Sequence, residues 1–240
     1  MKKSKKEGIK NFIKGLGLAA YVFLAWQISQ YAIGYLAIFI LGRANYNKPF
    51  WFTIVGILTY LLAIFLIIFI PKHISKKLKA TREEIGLSGL PTFTDIGISI
   101  LGYISTILIA GTVILILEKL HLVDAAAQQD IGFNNISNGT GRALAYILIA
   151  VIAPLAEEII FRGYLYGTLR KNLSIIPSII IVSVLFGALH SPLNVSIDIA
   201  ILSTILCLER EITGTIHAGI ITHILQNSIA FIILVIRGII

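Results

Sequence analysis

The sequence predicts an all-α membrane protein, a polytopic transmembrane bundle of about seven helices, with a range of about six to eight. Hydrophobic residues make up 57% of the 240 positions and charged residues only 13%, and the mean hydropathy is +0.90. About a quarter of the residues of a soluble domain are charged, and disordered chains are mainly polar, so both classes are excluded. Apolar runs of about 20 residues, long enough to cross a bilayer core of about 30 Å, recur along nearly the whole chain.

The predicted spans are 15–42, 50–71, 96–118, 143–169, 174–191, 194–208 and 213–236. They divide the chain into a basic N-terminal arm over 1–14, membrane helices and loops over 15–142, and a C-terminal membrane core over 143–240. The first apolar run is longer than the core of a signal peptide and lacks a small-residue cleavage site. We therefore expect it to be kept as an anchor.

Two clusters of basic residues predict the orientation of these spans. They consist of Lys2, Lys3, Lys5, Lys6, Lys10 and Lys14 before the first span, and Lys72, Lys76, Lys77, Lys79 and Arg82 after the second. Loops rich in lysine and arginine stay on the cytoplasmic side, so the N-terminus is predicted to be cytoplasmic, as are the loops around 170–171 and 209–211. The net charge of +8 is thus explained by membrane anchoring, and nucleic acid is not a predicted partner.

Polar residues within the predicted spans are candidates for a functional site, because a charged side chain in hydrocarbon costs at least about 2.5 kcal/mol. They are Glu157, Glu158, Arg162, His190, Asp198, His217, His223 and Asn227. Glu158 and Arg162 are four residues apart and can pair on one helical face, whereas Glu157 points about 100° away. A purely structural Glu–Arg pair near a helix end is the alternative interpretation of this segment.

His223 and Asn227 also stand four residues apart and project from one helical stripe. Either residue could instead hydrogen-bond a neighbouring helix, and His190 alone would be read as an interfacial histidine. At about 1.5 Å per residue, Glu157, His190 and His223 lie about 18, 24 and 15 Å from the cytoplasmic ends of their spans. These depths are compatible with a single site.

A carboxylate, two histidines and an amide inside a dry bundle suit the hydrolysis of a peptide bond without a nucleophilic side chain. A Glu–His pair can take a proton from water and later return it to a leaving amine. A second histidine and an asparagine can donate hydrogen bonds to the oxyanion that forms when water attacks a carbonyl.

Three short motifs carry a family resemblance. Glu157-Glu158-Ile-Ile-Phe-Arg162 resembles an EExxxR motif, Phe186-Gly-Ala-Leu-His190 an FxxxH motif, and His223-Ile-Leu-Gln-Asn227 an HxxxN motif. In this order they resemble the CPBP family of intramembrane proteases, also called Abi. That family includes CAAX prenyl endopeptidases and bacterial proteins linked to bacteriocin production and self-immunity. The resemblance covers about residues 140 to 235.

The resemblance implies a role for each motif residue. Glu157 and His190 would activate the water, and His223 and Asn227 would form the oxyanion hole. The implied substrate is a membrane-associated peptide or a lipidated protein, membrane lipids are the surrounding partners, and the implied location is the bacterial cell membrane.

Other positions take supporting roles or none. The resemblance implies that Glu158 and Arg162 set the geometry of the site and that Phe186 packs against the histidine one turn later. Asp198 and His217 match no motif and are left out of the predicted site.

Zinc is left open as a cofactor, because Glu157, His190 and His223 could supply the two histidines and one carboxylate of a catalytic zinc site. The sequence has no HExxH element, so we favour a glutamate-activated water without metal. Two non-proteolytic functions also stay open. One is a non-catalytic immunity protein that binds a bacteriocin, and the other, ranked last, is a small transporter.

Overall fold

Residues 2–74, 80–130, 132–133, 136 and 139–238 are described by a computed structural model, and helices dominate them. The long helices are α1 (Lys2–Leu41), α2 (Pro49–His73), α3 (Phe93–Lys119), α4 (Gly139–Arg170), α5 (Ile175–Ala188), α6 (Leu193–Thr213) and α7 (His217–Ile236). Two single-turn helices, Arg43–Tyr46 and Arg82–Ile85, lie in the connections. The described residues contain no β-strand, so the predicted all-α class is confirmed.

Five of the long helices, α1, α2, α3, α4 and α7, are long and apolar enough to cross a membrane. The protein is therefore an integral membrane protein. Helix α5 has only 14 residues, or about 21 Å, and falls short of a bilayer core of about 30 Å. Helix α6 has 21 residues but carries several charges. The predicted count of about seven spans therefore agrees with the number of long helices, whereas only five of the described helices meet the criterion of apolar length.

Two helix boundaries differ from the sequence prediction. Helix α1 begins at Lys2, so the helix of the first predicted span extends back over the basic residues. Helix α6 continues to Thr213 and stops at Gly214, whose φ of 72° lies in the left-handed region. The prediction that residues 209–211 form a loop was wrong, because α6 is helical through Thr213 and buries Glu209.

Ionic contacts gather the connections after α2, α4 and α6 at one end of the bundle. Arg170 Nε donates to Glu211 Oε1 and Lys171 Nζ to Glu84 Oε1, each at 2.7 Å. Arg210 Nη2 donates to the backbone carbonyl of Glu84 at 2.6 Å. The three connections thus share one end, as the charge pattern predicts. The cytoplasmic location of that end stays a prediction, and Lys76, Lys77 and Lys79 lie outside the described residues.

Helix α4 is the most buried of the five apolar spans, with more than half of its most apolar stretch inside the protein. Aromatic rings join it to its neighbours. Trp26 of α1 lies 5.6 Å from the rings of both Tyr60 on α2 and Phe161 on α4, and Phe161 lies 4.7 Å from Phe186 on α5. These edge and tilted contacts hold four helices around the polar residues of α4.

Helix α4 is wound unevenly, with π-helical turns over Ile147–Ile152 and Glu158–Tyr166. Such turns are rare and are frequent at functional sites. In the first of them the Ala153 N–H bonds the carbonyl five residues back, at Leu148. The next residue is Pro154, which has no N–H, so in this register the carbonyl of Ile149 loses its backbone donor.

A glycine sets the approach of α3 to α6. An ideal Cβ added at Gly102 would lie 1.8 Å from Oε1 of Glu209. At Gly97 and Gly111, on the same helix, an added Cβ would meet nothing within 4 Å. The absence of a side chain at position 102 therefore allows the buried carboxyl group of α6 to lie against the backbone of α3.

We predict that Gly102→Ala lowers the free energy of unfolding by about 1–3 kcal/mol, because the added methyl group overpacks the contact with Glu209. Gly111→Ala is the matched control on the same helix. It should be neutral or stabilise the helix by up to about 1 kcal/mol. Thermal unfolding of both variants in the same detergent measures the difference, and equal stabilities would contradict the packing described here.

Candidate active site

A buried ion pair lies at the centre of the candidate site. Arg162 Nη1 donates to Glu158 Oε1 at 2.9 Å, and both side chains are 0% exposed. The pairing expected from their spacing is therefore present. The guanidinium carbon of Arg162 also lies 4.4 Å from the ring centroid of Phe186, a cation–π distance. The carboxylate of Glu158 is thus neutralised within the protein, on the face of α4 that meets α5 and α7.

His223 of α7 lies between the two consecutive glutamates. Its Nδ1 is 2.9 Å from Glu158 Oε1, and because an ionised carboxylate can only accept, Nδ1–H is the donor. This bond turns the opposite ring nitrogen toward Glu157, with Nε2 at 3.7 Å from Oε2. The histidine ring is fixed through Glu158 and presents Nε2 to Glu157.

Tyr60 of α2 holds the other oxygen of Glu157. Its hydroxyl donates to Glu157 Oε1 at 3.0 Å, and Glu157 is 7% exposed. Tyr60 was not predicted to belong to the site. A lone tyrosine in an apolar span is most often a packing residue, and the sequence does not show which group its hydroxyl bonds. Only the fold shows that the bonded atom belongs to Glu157.

His190 lies two residues beyond the end of α5 and is half-buried. Its Nδ1–H donates to the Phe186 carbonyl at 2.8 Å, which leaves Nε2 as the nitrogen with a free lone pair. The Phe186 ring centroid is 5.1 Å from the ring of His190 and 5.9 Å from that of His223. The two histidines therefore flank one phenylalanine, and His190 makes no hydrogen bond to Glu157 or to His223.

Asn227 meets the carbonyl that Pro154 leaves free. Its Nδ2 donates to the Ile149 carbonyl at 3.0 Å. One amide hydrogen of the half-buried asparagine is thus bonded to the backbone of α4. This agrees with the alternative in which Asn227 hydrogen-bonds a neighbouring helix. The amide has two hydrogens, so a second donor is left for a ligand.

The four residues Glu157, Glu158, Arg162 and His223 form one connected network, with His190 and Asn227 at its edge. The two unassigned polar residues lie elsewhere. His217 bonds the Ser88 carbonyl at 3.3 Å through Nε2, and Asp198 is half-buried on α6 with no hydrogen-bond partner within the described part of the chain.

A second buried carboxyl group was missed by the sequence analysis. Glu209 is 2% exposed, and its Oε1 accepts a hydrogen bond from Thr222 Oγ1 at 2.6 Å. In the sequence it precedes Arg210 and Glu211, so it reads as part of a charged loop. No local sequence pattern indicates that α6 continues to Thr213 or that the Glu209 side chain is buried inside the bundle.

The candidate zinc ligands are Glu157, His190 and His223. Glu157 and His223 approach each other, but among the described residues no three His, Cys, Asp or Glu side chains are grouped so that they could hold a metal ion. The set of Glu157, His190 and His223 does not come together as metal ligands in this geometry.

We predict that Arg162→Met lowers the free energy of unfolding by about 3–5 kcal/mol, because it leaves the Glu158 carboxylate buried without a cation. Adding Glu158→Gln should restore most of the loss, because both charges are then removed. Arg170→Met is the control, since its pair with Glu211 is partly exposed and contributes about 1 kcal/mol or less. Equal losses for the two arginine variants would contradict a buried pair.

Comparison with known proteins places the site within a recognised segment. Residues 139–229 match the family model described as type II CAAX prenyl endopeptidase Rce1-like. No curated protein and no solved structure matches the chain significantly. The matched segment contains all three motifs and the network around Glu158. Over residues 139–229 the chain is thus similar to that family, which confirms the resemblance that the motifs indicate.

Proposed function

We propose that the protein is an intramembrane endopeptidase that hydrolyses a peptide bond of a membrane-associated peptide or a lipid-anchored protein. The proposal rests on the surroundings of the Glu157 carboxylate. This carboxylate lies within a membrane-spanning helix, held by Tyr60 on one oxygen and facing Nε2 of His223 with the other. The match of the segment to type II CAAX prenyl endopeptidases supports the same reaction class.

In the proposed first step, Glu157 takes a proton from a water molecule, with His190 Nε2 as the second acceptor that orients it. The water oxygen then attacks the carbonyl carbon of the substrate, and the carbonyl oxygen becomes an oxyanion. The Nδ1–H bond of His190 to the Phe186 carbonyl suits this role, because it keeps the lone pair on Nε2.

The proton taken by Glu157 has a further acceptor within reach. It can pass from Glu157 Oε2 to Nε2 of His223, whose Nδ1–H remains bonded to Glu158. In the protonated ring, Nε2–H becomes a donor at the moment when the oxyanion forms. The second amide hydrogen of Asn227 is the other proposed donor.

Collapse of the tetrahedral intermediate breaks the carbon–nitrogen bond. The proton returns through Glu157 to the leaving amine, and the products are a carboxylic acid and an amine. No covalent enzyme intermediate forms, in keeping with the absence of a nucleophilic side chain from the described network.

An apolar groove between α4 and α7 supports a membrane-bound substrate. It has a volume of about 550 Å³ and is lined by residues that include Tyr146, Ile147, Phe231 and Val235. Phe231 lies one helical turn beyond Asn227, so the groove begins next to the candidate oxyanion donors. We propose that it takes the apolar part of the substrate.

The second candidate function is a non-catalytic bacteriocin self-immunity protein. One observation favours it: Asn227 and His190 each bond a backbone carbonyl, so both residues also serve the packing of the helices. On this alternative, substitution at Glu157 leaves protection of cells against the peptide toxin unchanged.

We predict that Glu157→Gln reduces kcat for cleavage of a panel of prenylated and unprenylated membrane peptides by about 100-fold or more, because the general base is lost. Asp198→Asn is the control for loss of an intramembrane carboxyl group and should retain cleavage. Purified protein in lipid is compared with and without a chelator, and sensitivity to the chelator would indicate a metal. Undiminished cleavage by Glu157→Gln would contradict the proposal.

We predict that Tyr60→Phe reduces kcat about tenfold with little change in KM, because Glu157 loses the donor that positions its carboxylate. Tyr103→Phe, a half-buried tyrosine of α3, is the control. Steady-state kinetics in lipid with the best substrate of the panel measures both constants. An unchanged kcat for Tyr60→Phe would show that the hydroxyl does not position Glu157.

A further inference from the structure

Glu209 is a buried carboxyl group that none of the three motifs includes. Its Oε1 accepts from Thr222 Oγ1, whereas its Oε2 has no hydrogen-bond partner among the described residues. A buried polar atom without a partner costs about 1–3 kcal/mol, so Glu209 calls for an explanation.

A second unpartnered oxygen faces the same place. Oε2 of Glu158 also lacks a partner within the described residues, although its Oε1 is bonded by Arg162 and His223. An ideal Cβ added at Gly219 would lie 3.1 Å from Glu158 Oε2 and 3.7 Å from Glu209 Oε2. Both unpartnered oxygens therefore border the gap beside Gly219, where the residue has no side chain.

The charges of the network do not balance if every carboxyl group is ionised. Glu157, Glu158 and Glu209 are buried, and the permanent cation bonded to one of them is Arg162. Arg210 also acts electrostatically on Glu158, but its guanidinium is bonded to the backbone carbonyls of Gly163 and Glu84. His223 can take one further proton, but it lies between the first two glutamates. In a low-dielectric interior uncompensated charge is costly, and carboxyl groups that share a site keep a proton between them.

We propose that Glu209 is a positioning residue that holds this proton and shares it with Glu158 Oε2 across the gap beside Gly219. The shared proton supplies the donor that Glu158 lacks and fixes its carboxylate between Arg162 and His223. It thereby holds Nε2 of His223 toward Glu157. Glu209 itself does not touch the substrate, and its effect on cleavage rests on the function proposed above.

The contacts of Glu209 on each side agree with this assignment. From α3, Gly102 leaves room for its Oε1, and from α7, Thr222 donates to that same oxygen. From α4, the charged groups that face it are Glu158 and Arg162. Of the two Glu209 oxygens, the one that lies beside Gly219, as Glu158 Oε2 also does, is the one without a hydrogen bond.

Infrared spectroscopy of the protein in lipid tests the proton without any substrate. At neutral pH the wild type should show the carbonyl stretch of a buried protonated carboxyl group, and Glu209→Gln should lose it. Glu84→Gln is the control, because the hydrogen bond from Lys171 holds the pKa of the Glu84 carboxyl below its usual range and this group is ionised. A spectrum of Glu209→Gln that keeps the band would overturn the proposal.

Kinetics tests the positioning role. Glu209→Gln keeps an acceptor for Thr222 and supplies an N–H donor to Glu158, so cleavage should stay within about threefold of wild type. Glu209→Leu removes the donor, and kcat should fall about tenfold or more with KM unchanged. Equal cleavage by Glu209→Leu and wild type would overturn the proposal.

The two experiments also separate this proposal from the proposed function. If the wild type cleaves no peptide of the panel, the endopeptidase function fails, while the infrared band still decides whether Glu209 holds a proton. Thermal unfolding of Glu209→Gln and Glu209→Leu is measured alongside. Loss of kcat in a leucine variant that unfolds at the wild-type temperature supports positioning over a purely structural role.

Discussion

The ion pair of Glu158 and Arg162 is the constraint on which the rest of the site depends. Two fully buried charges within a membrane-spanning helix are tolerated only when they are paired and hydrogen-bonded. Phe186 of α5 covers the guanidinium and His223 of α7 bonds the carboxylate, while Nε and Nη2 of Arg162 and Oε2 of Glu158 have no hydrogen-bond partner among the described residues. The same contacts that neutralise the pair therefore set the position of the histidine that faces Glu157.

The backbone of α4 imposes a second constraint. Pro154, in a π-helical register, leaves the Ile149 carbonyl without its N–H, and Asn227 supplies the missing hydrogen bond. Asn227 and His190 thus each satisfy a carbonyl with one nitrogen and keep a second polar function for a ligand. The same side chains therefore have a structural role and a proposed chemical role. For this reason each motif residue, considered alone, could be interpreted as a packing residue.

Local helical geometry made part of this arrangement predictable. The pairing of Glu158 with Arg162 followed from a spacing of four residues, and the three motifs indicated which spans meet. Contacts between helices far apart in the sequence did not follow. Tyr60 reaches Glu157 from a span without any motif, and Glu209 becomes buried only because Gly102 and Gly219 leave space on two other helices. A single sequence contains no signal that pairs these positions.

A double-mutant cycle between Glu158→Gln and His223→Leu tests most directly whether the buried carboxylate fixes the histidine. The free energy of unfolding in lipid bicelles is measured for the wild type, both single variants and the double variant. Because the two side chains share a hydrogen bond of 2.9 Å in the interior, we expect a coupling energy of about 1–3 kcal/mol. Additive effects of the two substitutions would contradict it.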